Sequence, residues 1–451
     1  MSHYSDTIAA IATPSGIGGI AVLRLSGDNA TAIALRHSNR TALTPRHATY
    51  SLFRNGDEII DDVVMTYYPA PHSYTGEDTV EIACHGSQYI QQTILDILLN
   101  SGARMAEPGE YTQRAFINGR LNLAQAEAVN DLIESTNRGA HRLAVSQLRG
   151  SYAQRLKELR QQFVELASLL ELELDFSEED VEFADRQQLL TIVRGLMDEC
   201  WQLQESFRQG NAIRNGVAVA IVGAPNVGKS TILNALVGDD RAIVSDIPGT
   251  TRDTIEDIVT IDGIAFRFID TAGLRSSTDI IENAGIERSL AAARRAQIVL
   301  YIVEAGTEAD TIEKNINALG DAIQDKTIIV VQNKTDLYTP TPLAIKNITD
   351  TVSISARRGE GIGILKKKLY SSTIGNLADD TPIVSNPRHL EALHHITTIL
   401  PRIEHGLKSK LPADLIVIDL REAIYHLGTI TGEVSSPEIL STIFSHFCIG
   451  K

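Results

Sequence analysis

The segment GAPNVGKST at residues 223–231 carries side chains that suit a nucleoside triphosphate. Gly223, Gly228, Lys229 and Ser230 satisfy the spacing G-x-x-x-x-G-K-[ST]. The glycines allow backbone N–H groups to turn inward around phosphate oxygens, Lys229 can reach the β and γ oxygens, and Ser230 can bind Mg²⁺. The pattern therefore predicts a phosphate-binding loop.

Two later segments predict recognition of a guanine base. NKTD occupies residues 333–336, and Ser355-Ala356 follows in VSISAR. The Asp336 carboxylate can accept hydrogen bonds from N1–H and the 2-amino group of guanine, which adenine lacks, while Asn333 and Lys334 brace the base. A backbone N–H at Ser355-Ala356 can meet the guanine O6 atom. The order and spacing favour GTP over ATP.

Between these segments lie residues that predict a response to the γ-phosphate. Thr251 in DIPGTTRD can offer a hydroxyl to Mg²⁺, Asp270 in DTAG can hold the Mg²⁺ shell, and the Gly273 N–H can contact the γ-phosphate. We expect the nucleotide to contact residues of all these segments: Asn226, Val227, Gly228, Lys229, Ser230, Thr231, Ser245, Asp246, Ile247, Pro248, Gly249, Thr250, Thr251, Asp270, Thr271, Ala272, Gly273, Asn333, Lys334, Asp336, Ser355, Ala356 and Arg357.

The group that orients the attacking water is not fixed by these motifs. Leu274 stands where Ras-type proteins carry a glutamine, and leucine cannot orient water. Glu282 is a candidate, and Asp279 and Glu287 compete with it. A cation beside the phosphates can supply charge, and Asn226 offers a side-chain oxygen for it.

Local patterns indicate the elements that position these groups. Residues 216–222, GVAVAIV, form an apolar, β-branched run typical of a strand buried on both faces, and TILNALVG after the loop is amphipathic and helical. The run TIEDIVTI-DG-IAFRFID predicts a hairpin that turns at Asp262-Gly263. Together they predict an α/β P-loop GTPase domain of the Ras-like type.

The pattern of apolar and polar residues differs on either side of this domain. Residues 1–118 alternate short β-rich runs with one helical segment, which predicts a compact α+β domain. Residues 121–214 and 387–446 follow a helical period, with one apolar face at Leu156, Leu159, Phe163, Leu166, Leu169 and Leu170. We expect a helical domain interrupted by the GTPase domain. The predicted N-terminal domain spans residues 1–118. The predicted helical domain consists of residues 119–215 and 379–451, and the GTPase domain of residues 216–378 is inserted between these two parts.

Composition excludes several classes of protein. The 451 residues carry a net charge of −16, which argues against coating nucleic acid or an anionic membrane by bulk electrostatics, although local arginines can still meet phosphates. Cys84, Cys200 and Cys448 lack ligand spacing and fit a reducing compartment better than a disulfide framework or a zinc site. No apolar run approaches the ~18 residues of a membrane span, and no secretory leader is visible. We expect a cytoplasmic protein.

Longer motifs resemble one known family. They are ATPSGIGGIAVLRLSG, YTGEDTVEIACHG and PGEYTQRAFINGRLNLAQAEAVNDLI before the insert, DIPGTTRD, DTAGLR and ENAGIER within it, and FCIGK at 447–451. The chain resembles the MnmE (TrmE) family of tRNA modification GTPases over essentially its whole length. The resemblance implies a tetrahydrofolate-binding-like N-terminal domain that also mediates homodimerisation, an all-α helical domain and the inserted GTPase domain.

The resemblance also implies the reaction. With an FAD flavoprotein of the MnmG type, the family installs an aminomethyl or carboxymethylaminomethyl group at carbon 5 of the tRNA wobble uridine, and a 5-formyl- or methylene-tetrahydrofolate supplies the one-carbon unit. GTP hydrolysis depends on K⁺, for which Asn226, Ser245, Ile247 and Thr250 match the family's ligands. Glu282 matches its water-orienting glutamate. Ser230 and Thr251 are the expected side-chain ligands of Mg²⁺.

For folate, the family pattern falls on Arg24, Glu81, Arg120 and Lys451. A carboxylate can accept two bonds from the amino-pyrimidine edge of a pterin, and basic groups suit the glutamate tail. Cys448 is a candidate catalytic thiol through the resemblance alone. Cys84 and His85 are no dyad, because neighbours on a strand point to opposite faces.

Two other functions compete with this one. A regulatory, RNA-binding GTPase of the ribosome-assembly type would share the GTPase motifs, but it usually carries an RNA-binding module, and neither a KH-type GXXG context nor an aromatic RNP stretch is present. A free-standing folate-dependent aminomethyltransferase would not need a complete GTPase.

Overall fold

A computed structural model of the chain describes residues 6–175, 186–238, 257–269, 290–340, 342, 348–373 and 382–451. The chain forms two compact units: Met1–Asn130 with Gln147–Leu196 and Thr398–Lys451, and Asp131–Ser146 with Met197–Thr397. Each unit thus combines segments that are distant in sequence. The units divide the chain at other residues than the four predicted segments, whose boundaries stay predictions.

The strands are β1 (Ile8–Ile11), β2 (Ile20–Ser26), β3 (Thr49–Asn55), β4 (Glu58–Tyr68), β5 (Thr79–His85), β6 (Arg104–Met105), β7 (Val217–Gly223), β8 (Asp257–Ile261), β9 (Ile264–Phe268), β10 (Ile298–Glu304), β11 (Thr327–Asn333) and β12 (Asp350–Ser353). The helices are α1 (Ala30–Arg36), α2 (Gln88–Asn100), α3 (Glu110–Ile117), α4 (Leu123–Glu134), α5 (Arg138–Leu148), α6 (Ser151–Asp175), α7 (Arg186–Asn215), α8 (Lys229–Val237), α9 (Ala309–Asn317), α10 (Ile362–Thr373), α11 (Pro387–Lys408), α12 (Ala413–Thr431) and α13 (Pro437–Phe444).

The first sheet has the strand order β3-β4-β5-β2-β1-β6. Its neighbours run antiparallel except for the β1–β6 pair. Along β5, Ile82 and Cys84 are buried in the core that α2 covers, whereas Glu81 and His85 lie on the opposite face. The predicted separation of Cys84 from His85 is confirmed, as is the α+β character of this region.

The second sheet has the order β12-β11-β10-β7-β9-β8 and is parallel except for the β8–β9 pair. β7 lies inside it, with Val219 in the core on one face and Ala220 in the core on the other. The prediction of a strand buried on both faces is therefore confirmed. Parallel order brings the ends of β7, β10 and β11 to one edge of the sheet.

The predicted hairpin is also present. β8 and β9 pair antiparallel from Asp257 opposite Phe268 to Ile261 opposite Ile264. Asp262 and Gly263 both have positive φ, 48° and 86°, as a type I′ turn requires.

The long helices supply the remaining core. α6 packs along α12. The predicted apolar face of α6 is buried at Leu156, Leu159, Phe163, Leu166 and Leu170. Leu169 differs from the prediction, because it lies at the margin of that face and is only half-buried. Within the described residues, no helix is both long and apolar enough to cross a bilayer.

Candidate functional site

The GAPNVGKST segment forms a tight loop between β7 and α8. Asn226 has φ 62° and Gly228 has φ 98°, both in the left-handed region. A Cβ atom added to Gly228 would lie 2.3 Å from Nδ2 of Asn333, so only glycine fits this approach. The loop thus closes at the N-terminus of α8, where backbone N–H groups favour an anion.

Lys229 turns back over this loop. Its ammonium donates to the carbonyl oxygens of Gly223 at 2.7 Å and Ala224 at 2.8 Å. Burial lowers the pKa of Lys229. The ammonium is therefore held at the mouth of the loop, where phosphate oxygens can replace the two carbonyls as its partners. Ser230 and Thr231 follow in the first turn of α8.

Asn333 connects this loop to the predicted base site. It is buried, with 4 % of its surface exposed. Its Nδ2 donates to the Val227 carbonyl at 2.9 Å, and its Oδ1 accepts from the Ala356 N–H at 3.1 Å. One amide therefore ties the phosphate loop to the Ser355–Arg357 segment.

Asp336 lies beside that segment. Its Oδ1 accepts from the Ser355 hydroxyl at 2.7 Å, and this hydrogen bond lowers the pKa of Asp336. The carboxylate is thus held ionised with its second oxygen available for ligand donors. Lys334 has φ 66° and forms an ion pair with Glu304, a residue that no nucleotide motif in the sequence includes.

Several predicted nucleotide and metal residues lie outside the described part of the chain. They are Ser245, Asp246, Ile247, Pro248, Gly249, Thr250, Thr251, Asp270, Thr271, Ala272, Gly273 and Glu282. Of the predicted K⁺ and Mg²⁺ ligands, Asn226 and Ser230 are described, and both belong to the phosphate loop.

A second cluster of predicted residues lies on the first sheet. Arg24 and Glu81 stand directly opposite each other on β2 and β5. Arg24 donates to Oε1 of Glu81 from Nε at 3.0 Å and from Nη2 at 2.7 Å. Because both bonds fall on one oxygen, Oε2 makes no hydrogen bond within the described residues. The side chains are 18 % and 29 % exposed, so the pair is open to a ligand.

Two tyrosines form the wall behind Arg24. Its guanidinium carbon lies 5.5 Å from the ring centroid of Tyr74 and 5.6 Å from that of Tyr111. The Tyr111 hydroxyl donates to the Arg24 carbonyl at 2.6 Å, and burial raises the pKa of Tyr111. Tyr111 is fully buried, so its ring supports the guanidinium and does not face a ligand. The Glu81 carboxylate that Arg24 orients suits an amino-pyrimidine edge.

The segment that ends at Lys451 reaches the same cluster. The Gly450 carbonyl accepts from Arg24 Nη1 at 3.5 Å, and the Cys448 carbonyl accepts from the Gly109 N–H at 3.4 Å. Lys451 follows directly, and Cys448 is exposed. Arg120 is placed against the neighbouring loop, since a Cβ on Gly76 would lie 3.2 Å from its Cγ.

A buried ion network beneath this cluster was missed by sequence reasoning. The Arg114 guanidinium is fully buried and donates to the carboxylates of Asp6 at 2.7 Å, Glu110 at 2.9 Å and Glu77 at 3.1 Å. Glu77 also accepts from the Ser26 hydroxyl at 2.8 Å. The network fixes the loop that presents Tyr74. The only sequence signal is the Glu110–Arg114 helical spacing, which is equally typical of a surface pair.

Comparisons with known proteins decide the family. A model described as GTP-binding protein TrmE N-terminus matches residues 7–120, and one described as MnmE helical domain matches residues 123–448. The tRNA modification GTPase MnmE of Parabacteroides distasonis is 48% identical over 460 residues, which span 99% of this chain and 100% of that protein. Its counterpart in Flavobacterium psychrophilum is 44% identical over 460 residues, with 99% and 100% covered. The chain belongs to the MnmE family.

Membership of the MnmE family confirms the predicted fold class: an α+β N-terminal domain, a helical domain and an inserted α/β P-loop GTPase domain. It also confirms, at the level of the family, the prediction of a GTP-hydrolysing enzyme in tRNA modification. The solved structure of Era in complex with MgGDPNP and nucleotides 1506-1542 of 16S ribosomal RNA is 27% identical, covering 41% of this chain and 66% of that chain. Its TM-score of 0.26 is too low to carry a structural argument.

Proposed function

We propose that this MnmE-family chain hydrolyses GTP with K⁺ and Mg²⁺ and, with an FAD flavoprotein of the MnmG type, uses a tetrahydrofolate one-carbon unit to modify carbon 5 of the tRNA wobble uridine. The observation that carries the nucleotide part is the Asn333 amide, which joins the phosphate loop to the base-recognition segment through Val227 and Ala356. The cytoplasm is the proposed location, because tRNA and reduced thiols occur together there.

In the nucleotide site, we assign each described group one task. Lys229 exchanges its loop carbonyls for β and γ phosphate oxygens, and Ser230 binds Mg²⁺ together with Thr251. Asp336 accepts from N1–H and the 2-amino group of guanine while Ser355 keeps it oriented. Specificity for guanine follows, because adenine offers neither donor.

For hydrolysis, this chain lacks the glutamine that orients water in Ras-type proteins. Glu282 is proposed to hold the attacking water. Asn226 is proposed to bind K⁺ with Ser245, Ile247 and Thr250, and its exposed position in the phosphate loop leaves its side chain open to a cation. A K⁺ ion there supplies the positive charge that an arginine finger supplies elsewhere.

In the N-terminal site, Glu81 is proposed to accept from the amino-pyrimidine edge of a tetrahydrofolate and Arg24 to orient the Glu81 carboxylate through its two hydrogen bonds. Arg120 and Lys451 are proposed to meet the glutamate tail, and Cys448 is a proposed thiol of the reaction. The free Oε2 of Glu81, and the hydrogen bonds by which Arg24 orients that carboxylate, support this assignment.

The outer face of the same sheet supports a homodimer. Ile20 is 71 % exposed, Tyr50 53 % and Val64 39 %. The strand register places all three on the face that carries Arg24 and Glu81. A second subunit that covers these apolar side chains would therefore also cover the proposed folate site.

The cation mechanism is tested by GTP turnover of the full chain in K⁺ and in Na⁺ at equal ionic strength. We expect turnover at least about 10-fold faster in K⁺. The Glu282→Ala variant should lose about 10²-fold in kcat with little change in KM, because a water-positioning group acts in the transition state. Asp279→Ala is the matched control and should keep its rate. Equal rates in the two salts would reject the K⁺ site, and an unaffected Glu282→Ala would reject that role.

A further inference from the structure

The last residue of β10, Glu304, lies next to residues 333–336, which are proposed to bind the base. β10 and β11 run parallel, and their register places Glu304 opposite Asn333. The backbone reinforces this neighbourhood, because the Ala305 N–H donates to the Asn333 carbonyl at 2.7 Å. The Glu304 carboxylate forms an ion pair with the ammonium of Lys334, the residue after Asn333.

Lys334 is constrained at both ends. Its φ of 66° is a left-handed conformation that a lysine rarely adopts. The turn that follows fixes its backbone, since its carbonyl accepts from the N–H groups of Leu337 at 2.9 Å and Tyr338 at 3.1 Å. Glu304 fixes the other end of the side chain, the charged tip.

A free lysine side chain loses much rotamer entropy when a ligand orders it. An ion pair that is already formed removes part of that loss from the binding step. Lys334 remains only 29 % exposed and Glu304 39 %, so water screens the pair less than it screens a pair on an open surface.

We propose that Glu304 is a positioning residue for guanine-nucleotide recognition, acting by holding Lys334 in its binding conformation. The proposal rests on the proposed use of residues 333–336 as the base site. Because GTP and GDP share the base, Glu304 should affect the affinity for both nucleotides equally, and the rate at saturating GTP should not depend on it.

The test measures dissociation constants of fluorescent GDP and of a fluorescent non-hydrolysable GTP analogue for the full chain. Glu304→Gln keeps the shape of the side chain and removes its charge, so we expect both constants to rise three- to tenfold with kcat unchanged. Glu304→Asp keeps the charge and should recover most of the affinity. Glu308→Gln, a loop glutamate that precedes α9, is the matched control and should bind like the wild type.

A double variant separates positioning from a general effect on the fold. If Glu304 acts through Lys334, then Glu304→Gln with Lys334→Ala should bind no more weakly than Lys334→Ala alone. The proposal would be overturned if the losses of affinity from the two substitutions multiplied in the double variant. It would also be overturned if Glu304→Gln bound both nucleotides as well as the wild type. A wild-type chain that binds neither nucleotide would instead reject the base site itself.

Discussion

The two candidate sites are built in opposite ways. In the GTPase domain, the groups proposed to bind the nucleotide lie in short loops that follow parallel strands, as Lys229 follows β7 and Asp336 follows β11. In the N-terminal domain, Arg24 and Glu81 stand within neighbouring antiparallel strands and meet through register. The first design places chemistry in contiguous sequence. The second places it in pairs that only the folded sheet brings together.

The largest expected effect concerns the support of the N-terminal site. Arg114→Met removes the guanidinium that Glu77 and Glu110 share. Both carboxylates then remain close together and largely buried, with 11 % and 3 % of their side chains exposed. Breaking a buried ion pair costs about 3–5 kcal/mol. We expect the free energy of opening measured by amide hydrogen exchange in β5 of the full chain to fall by a similar amount, while β7 and β10 keep their protection.

An exposed ion pair provides the control. Arg155→Met removes the same kind of side chain from a helix-surface pair with Glu158 at 3.3 Å and should leave β5 unchanged. Equal protection of β5 in Arg114→Met and the wild type would show that the network does not hold this sheet.

Acid should weaken the same network. Burial acts to raise the pKa of Glu110, but hydrogen bonds from Arg104, the Glu107 N–H and Arg114 outweigh it and hold that pKa below its ordinary value. A lowered carboxyl pKa stabilises the fold above the unfolded value of about 4.3 and loses that contribution as the pH falls through the folded value. The urea concentration at the midpoint of unfolding of the N-terminal unit should therefore decrease as the pH is lowered from about 5 to about 3, the range in which carboxyl groups titrate. In Arg114→Met this decrease should be less steep.

A smaller loss is expected from Asp336→Asn. The amide offers one acceptor and one donor where the carboxylate offers two acceptors, so GTP affinity should fall about 100-fold, as expected for a charge-assisted pair of hydrogen bonds. Xanthosine triphosphate, which has a carbonyl at C2, should bind better than GTP. Competition against fluorescent GDP measures both. Asp350→Asn, which loses a surface ion pair with Lys368, is the control. An unchanged preference for GTP would remove Asp336 from base recognition.

The smallest effect is expected on the sheet face. Glu81→Gln keeps one acceptor but loses the charge, so 5-formyltetrahydrofolate should bind about 10-fold more weakly, with GTP binding unchanged. Calorimetric titration of the full chain measures the constant, and Glu58→Gln at the exposed start of β4 is the control. Undiminished folate affinity would place the pterin elsewhere and would end the contrast between the two sites.

These contrasts explain what the sequence could predict. The phosphate loop and the Asp262-Gly263 turn follow from local patterns, since each depends on a strand end and a few following residues. The hydrogen bond between Asn333 and Ala356 was not predicted, because it joins two loops that only the folded sheet brings together. The α6 face was predicted except at its margin, where Leu169 is half-buried.

The rest depends on distant partners. The burial of Arg114 comes from Asp6 and Glu77, which lie far from it in sequence and are brought close only by β1 and the loop before β5. Glu304 likewise contacts Lys334 only because β10 and β11 are neighbours. Neither helical spacing nor the positions of strand ends in the sequence predict such contacts between distant residues. Arg24 and Glu81 were predicted as site residues only through the resemblance to the MnmE family, and their contact with each other was not predicted.

The contact of Gly450 with Arg24 has a consequence for synthesis. Domains generally fold as they leave the ribosome, N-terminal part first. Here the N-terminal sheet is translated before the whole GTPase domain, yet the proposed folate site on it borders on Gly450, which is translated after that domain. A nascent chain can therefore form the sheet but not the finished site. Folate binding at that site would report that translation has passed the GTPase domain and that the distant segment has docked.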